Sequence, residues 1–189
     1  MKKILILTLL VLSFTVPIFG GEFDDTLKQA EQGDAGAQSI IGNFYRLGRD
    51  VTQNFEQAVS WYKKSAEQGN DSAQHFLGIM FENGLGLMQD YKKSVFWYHK
   101  SAEQGNKSAQ YRLGNAYKYG LGKVQDYKKA LFWYKKSAVD IQSKDLPDGW
   151  VTSGNELAQH EIGNMYKYGL GVTQNYKDAF KWYKKAVKG

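Results

Sequence analysis

The chain has 189 residues and a formal net charge of +6. That length supports one domain with a continuous core, and the charge is too small for a nucleic-acid footprint. There is no cysteine. Disulfide staples and thiolate metal sites are therefore excluded, and stability has to come from packing.

Residues 1–20 read as a secretory signal peptide. Lys2 and Lys3 form a basic start, Ile4 to Val16 an apolar run, and Pro17-Ile18-Phe19-Gly20 leads to a small residue. The apolar run falls short of the roughly 20 residues of a spanning helix. Cleavage after Gly20 is the expectation, with a mature charge of +4 once Lys2 and Lys3 leave. The alternative is an uncleaved anchor. No cysteine follows for lipid attachment. The expected location is periplasmic or secreted, with no membrane insertion after cleavage.

Glu22 to Gln32 is expected to be a lone helix, with Phe23, Leu27 and Ala30 on one face. Glu31-Gln32-Gly33 matches Glu67-Gln68-Gly69 further on. Residues 21–33 therefore look like half a unit that covers the open end of an array.

A unit of 36 residues follows. Ala37-Gln38, Ala73-Gln74 and Ala109-Gln110 keep that spacing, as do Gly42, Gly78 and Gly114, and Trp61, Trp97 and Trp133. Ala158-Gln159, Gly163 and Trp182 lie 49 residues after their third-copy equivalents, so a 13-residue insertion separates the last two copies. The domain spans 34–189, with repeats at 34–69, 70–105, 106–139 and 155–189 and an insertion at 140–154. A fixed period of this length indicates stacked units.

Each unit predicts two helices. Helix A is expected at 35–47, 71–83, 107–119 and 156–168, and helix B at 55–68, 91–104, 127–139 and 176–187. Asn54, Asp90, Asp126 and Asn175 are good N-caps for helix B. Gly69 and Gly105 suit the left-handed position after its end, and Asn70 and Asn106 cap the next helix A at once. So short a connection forces consecutive helices to pack antiparallel. Phe55, Ala58, Val59, Tyr62 and Ala66 share one face of the first helix B. Gly42, Gly78, Gly114 and Gly163 sit mid-helix, where glycine costs about 1 kcal/mol against alanine. Close helix approach, with a Trp or Tyr ring of helix B over the missing side chain, is the expected compensation.

In the insertion, Pro147-Asp148-Gly149 signals a turn and Trp150 follows. It reads as a recognition loop with an aromatic anchor or as a tolerated surface insertion.

The chain offers little chemistry. Of the three histidines, His75 and His160 share a repeat position two units apart, on the order of 30 Å along the stack. They cannot share a metal, and no histidine pair at helical spacing exists, so neither a metal site nor a cofactor is expected. The Gly-Leu-Gly turns follow helices and lack the lysine and hydroxyl of a phosphate loop. The pairs Lys63-Lys64, Lys135-Lys136 and Lys184-Lys185 fall in the last turns of helix B, where cations meet the negative helix end. No nucleic-acid partner is expected.

The outward column of helix A changes chemistry between copies. It runs Ser39, Asn43, Arg46; His75, Ile79, Glu82; Tyr111, Asn115, Lys118; and His160, Asn164, Lys167. A column freed from the packing rule can serve recognition, although a solvated face is the ordinary alternative. The candidate binding residues are Asn43, Arg46, His75, Glu82, Tyr111, Asn115, Lys118, His160, Asn164 and Lys167.

Three stretches carry a family resemblance: A-Q-x-x-[LI]-G-x-x-[YF], G-x-G-x-x-Q-[DN]-Y, and A-x-x-W-Y-K-K-[SA]-A. Together they resemble the Sel-one-like repeat family, relatives of the tetratricopeptide repeats, over Asp34 to Gly189. The first copy departs, with Asp50 for the second turn glycine and Phe55 for tyrosine. The resemblance implies an all-α, right-handed α-solenoid of four antiparallel helix pairs plus an N-terminal helix. It implies that helix A lines the concave surface and faces a protein or peptide. The expected function is an exported, non-enzymatic scaffold or adaptor, read as a monomer. A cysteine-rich branch of the family is associated with penicillin binding and weak β-lactam hydrolysis. This chain lacks that branch's cysteines, so that activity stands as the alternative.

Overall fold

A computed structural model describes residues 21–139 and 155–187. The proposed signal peptide and the insertion with Trp150 lie outside the described residues. Within them the chain forms nine helices and no strand. The first is α1 (Gly21–Glu31), and four helix pairs follow. The pairs are α2 (Ala35–Leu47) with α3 (Phe55–Glu67), α4 (Asp71–Asn83) with α5 (Tyr91–Glu103), α6 (Lys107–Tyr119) with α7 (Tyr127–Ala138), and α8 (Glu156–Tyr168) with α9 (Tyr176–Ala186). The main packing follows chain order, with each helix against its neighbours in sequence. The result is an α-solenoid.

Local chemistry sets the ends of these helices. Asn54, Asp90, Asp126 and Asn175 each adopt an extended backbone and accept a hydrogen bond from the amide three residues on. Asp34, Asn70, Asn106 and Asn155 do the same for helix A. Helix A stops at Gly48, Gly84, Gly120 and Gly169, each left-handed. The turn glutamines then cover a last-turn carbonyl: Gln89 Nε2 donates to the Glu82 oxygen at 2.7 Å and Gln125 Nε2 to that of Lys118 at 2.7 Å. Gly69 and Gly105 have φ of 95°, as the cap reading requires. Asp50 takes the left-handed place of the missing turn glycine at φ 58°, a conformation aspartate tolerates better than most side chains.

The mid-helix glycines are explained by contact. A Cβ on Gly78 would lie 2.5 Å from the ring of Tyr98, and one on Gly42, Gly114 or Gly163 would meet Tyr62, Tyr134 or Tyr183 in the same way. The ring over the gap is the tyrosine of each Trp-Tyr pair. Tyr62, Tyr98 and Tyr134 are almost fully buried, so the glycine admits a large apolar surface to the core, where burial outweighs the loss of helix propensity.

Tryptophan takes an equally regular place. Trp61 packs against the cluster that holds Ala37 and Ile41, Trp97 against that of Tyr62 and Leu77, and Trp182 against that of Tyr134 and Ile162, while Trp133 belongs to the cluster of Tyr98 and Leu113. Lys64, Lys100, Lys136 and Lys185 lie over these rings, at 4.1 to 5.7 Å from their centres. The cations at the end of helix B are thus also held by aromatic faces.

Candidate functional site

The candidate face is built by α2, α4, α6 and α8, and its polar groups are fixed from below by tyrosines of helix B, three of them buried and Tyr183 half-buried. The Tyr62 hydroxyl donates to Asn43 Oδ1 at 2.8 Å, Tyr134 to Asn115 Oδ1 at 2.6 Å, and Tyr183 to Asn164 Oδ1 at 2.8 Å. In the second unit Ile79 stands where the others have asparagine. There the Tyr98 hydroxyl turns to the Glu82 carboxylate instead. Each of these four hydroxyls meets an acceptor, as buried polar groups require.

Burial shifts these hydroxyls. It pushes Tyr62 up to about 12, partly opposed by the hydrogen bond and charge of Arg46. Tyr98 is raised by burial and then by the negative charge of Glu82, and Tyr134 by burial and then by Glu161. They therefore remain donors throughout the physiological range.

A second set of contacts joins neighbouring repeats. Arg46 lies over the Phe76 ring, 4.8 Å from its centre, and also donates to the Tyr62 hydroxyl at 3.1 Å. Glu82 pairs with Arg112 at 3.5 Å. Lys118 pairs with Glu161 at 2.6 Å, with side chains only 13% and 17% exposed. Burial acts to lower the Lys118 ammonium, but the Glu161 hydrogen bond and charge outweigh it and hold the group above its usual value. In each case a residue near the end of helix A meets a residue near the middle of the next helix A.

The remaining column is less outward than its pattern predicts. Ser39 is buried, 5% exposed. Its side chain is too short to reach past its neighbours, so the expected outward position is corrected there. His75 lies between Phe76 and Tyr98, ring centres 5.3 and 5.9 Å away, and its Nε2 is buried without a hydrogen-bond partner. Burial, reinforced by the charge of Arg112, lowers it to about 4. It is neutral at pH 7. Tyr111 is half-buried against Tyr134 at 5.9 Å. His160 is exposed, against Tyr183 at 5.3 Å, and its Nδ1 lies 3.3 Å from Asn164 Nδ2. Lys167 is exposed over Tyr168.

Sequence reading missed Phe76, Arg112 and Glu161. A signal was present: Glu82 and Arg112 are 30 residues apart, and Lys118 and Glu161 keep that spacing once the 13-residue insertion is subtracted. Near the N-terminal end, Glu22, Ile40, Asn43, Arg46 and Phe76 line an open pocket of about 370 Å³. Among the described residues no acidic, histidine or cysteine cluster could hold a metal, and no helix is long and apolar enough to cross a membrane.

Antiparallel helix pairs stacked through a 36-residue period define a helical-repeat protein. The Sel1 repeat model matches residues 35–70, 71–106, 107–138 and 157–189, and the chain belongs to that family. A Sel1 repeat protein from Oxalobacter formigenes is 35% identical, with a TM-score of 0.71 over 86% of this chain and 43% of its own. The protective antigen c5321 of uropathogenic Escherichia coli, which displays an SLR fold, is 31% identical, with a TM-score of 0.61 over 88% of this chain and 40% of its own. The chain thus spans less than half the length of these two relatives. No curated protein matches it. Sel1 repeat proteins are helical scaffolds that commonly mediate protein interactions and are generally not enzymes.

Proposed function

We propose that this chain is an exported scaffold that holds an extended peptide or protein segment along its helix-A face. The observation that carries the reading is the row of polar groups fixed by buried tyrosine hydroxyls. In Asn43 and Asn115 the hydroxyl engages Oδ1, while Nδ2 takes no partner among the described residues. Two half-buried amide donors, locked in orientation and two repeats apart, suit the carbonyls of an extended chain. Such preorganisation lowers the entropy lost on binding. Tyr111 stands one turn before Asn115 on α6 and supplies an aromatic surface. The basic start and apolar run before Gly21 support export.

Cross-linking in the native envelope, followed by mass spectrometry, tests both parts. The captured form should lack residues 1–20. Asn43→Ala with Asn115→Ala should reduce capture at least tenfold, as expected for two hydrogen bonds of about 1 kcal/mol each. Helicity should be unchanged. Undiminished capture by the double variant would remove the helix-A face from the account, and retention of Met1 would remove export.

A further inference from the structure

The outer side of helix B differs between units in a way that packing does not require. One position carries Ser60, Phe96, Phe132 and Lys181 in the four copies, and the turn before the helix carries Thr52, Met88, Val124 and Thr173. The second and third units are thus apolar at both positions, and the first and fourth are polar. Phe96 and Phe132 are 51% and 52% exposed, and Met88 and Val124 are 89% and 87% exposed. Serine or lysine serves equally well at the phenylalanine position, so the core does not call for a ring there. Lys92 and Lys100 stand four residues either side of Phe96, and Lys128 and Lys136 either side of Phe132; all four are exposed. Lys100 and Lys136 lie over these rings, 4.8 and 5.0 Å from their centres. Both units lie inside the array, with described hairpins on each side. Phe96, in a unit with no insertion after it, is as open as Phe132.

Charge sets the same side apart. α5, α7 and α9 carry eleven lysines and two acidic residues, Glu103 and Asp178. Their partners α4, α6 and α8 carry four cations and four acidic residues. The basic excess of the whole chain therefore resides on helix B. Its cations are all lysine, whereas the three arginines, Arg46, Arg49 and Arg112, lie on helix A or the turn after it. Arginine suits two-pronged recognition of a single placed anion, and lysine is a mobile point charge suited to a diffuse negative surface.

We propose that the helix-B side of the second and third units docks on an anionic lipid surface. The lysines supply attraction to the lipid phosphates, and Phe96 and Phe132 enter the headgroup boundary. Apolar side chains set among lysines are what such peripheral contact requires, the charges bringing the protein to the surface and the rings holding it there. Contact of this kind needs no spanning helix. The surface is formed by other helices than the face proposed for a peptide, and it does not depend on that reading.

The test is sedimentation of the full chain with phosphatidylcholine vesicles, with and without phosphatidylglycerol. Binding should be at least roughly tenfold tighter to the mixed vesicles and should weaken as salt screens the lysines. Phe96→Ser with Phe132→Ser, and separately Lys92→Glu with Lys128→Glu, install the residues that the first unit already carries at these positions, Ser60 and Glu56, so the fold is kept. Each pair should weaken binding to the mixed vesicles roughly tenfold or more. Because the chain has no cysteine, Phe132→Cys can carry an environment-sensitive dye. Its emission should shift to the blue on the mixed vesicles, while the same dye on His160→Cys of the helix-A face should not respond. That local signal separates this surface from any contribution of residues 1–20. An unmoved dye at position 132, or binding that neither pair of substitutions weakens, would overturn the proposal. Soluble polyglutamate that binds as tightly as the vesicles and moves the dye equally would assign the surface to an acidic protein and overturn it as well.

Discussion

Replacing Gly78 by alanine sets two known effects against each other. Alanine gains about 1 kcal/mol of helix propensity. Its Cβ, however, would lie 2.5 Å from Tyr98 Cδ1 and Cε1, where ordinary contact begins near 3.4 Å. The ring must retreat by the difference, ~0.9 Å, in a site where it is 2% exposed and tied to Glu82. Overpacking of this kind costs about 1–3 kcal/mol, and a strained or lost hydroxyl bond adds about 1 kcal/mol. The net expectation is a loss of about 2 kcal/mol, or a fall in Tm of roughly 4–8 °C for a domain of this size. Gly78→Leu should fall much further. Thermal melts and urea titrations of the wild type, Gly78→Ala, Tyr98→Leu and the double variant provide the assay. The double variant should be less destabilised than the sum of the singles, because trimming the ring frees space for the methyl group. If Gly78→Ala melts at or above the wild-type temperature, propensity has won, and the close approach does not explain the glycine.

Two further predictions concern charges. His75 is depressed to about 4 in the fold, below the usual 6.5 of a free imidazole, so the folded state favours the neutral ring. Its contribution is intact above pH 6.5 and is lost as pH falls through about 4, by roughly 3 kcal/mol at most. The wild type should lose more stability than His75→Phe over that window, and NMR should show the His75 ring titrating near 4. A ring titrating near 6.5 would contradict its buried placement. For Lys118 and Glu161, a double-mutant cycle in urea should give a coupling of about 1.5 kcal/mol, as for a charge-assisted hydrogen bond. A coupling of only a few tenths would show the pair to behave as an exposed one.

The architecture was legible because cap chemistry and period agree. All four helix-A ranges stand as read, and each helix B ends one residue earlier than expected. At Gln68 and Gln104 that residue is the cap itself. The mid-helix glycine announced a close approach, but sequence could not choose between Trp and Tyr: both recur at the same period, and only their angle around the helix separates them. The candidate face was legible as a column and not as a set of contacts. Helical spacing put Glu82 and Lys118 outward. Their partners Arg112 and Glu161 lie in the next unit, and the pairing depends on how far one hairpin advances over another. His75 is less outward than its helical angle suggests for a similar reason. Its outward angle is overridden by Phe76 and Tyr98, which close over it.

The bridges between hairpins also fix the order of the units. Removing the second unit would set Arg46 against Arg112, and removing the third would set Glu82 against Glu161. Near-identical modules invite both slippage of the coding sequence and misdocking of a nascent hairpin onto the wrong neighbour. In this chain either skip brings like charges face to face, so hairpins interchangeable in backbone and core remain distinguishable at their seams.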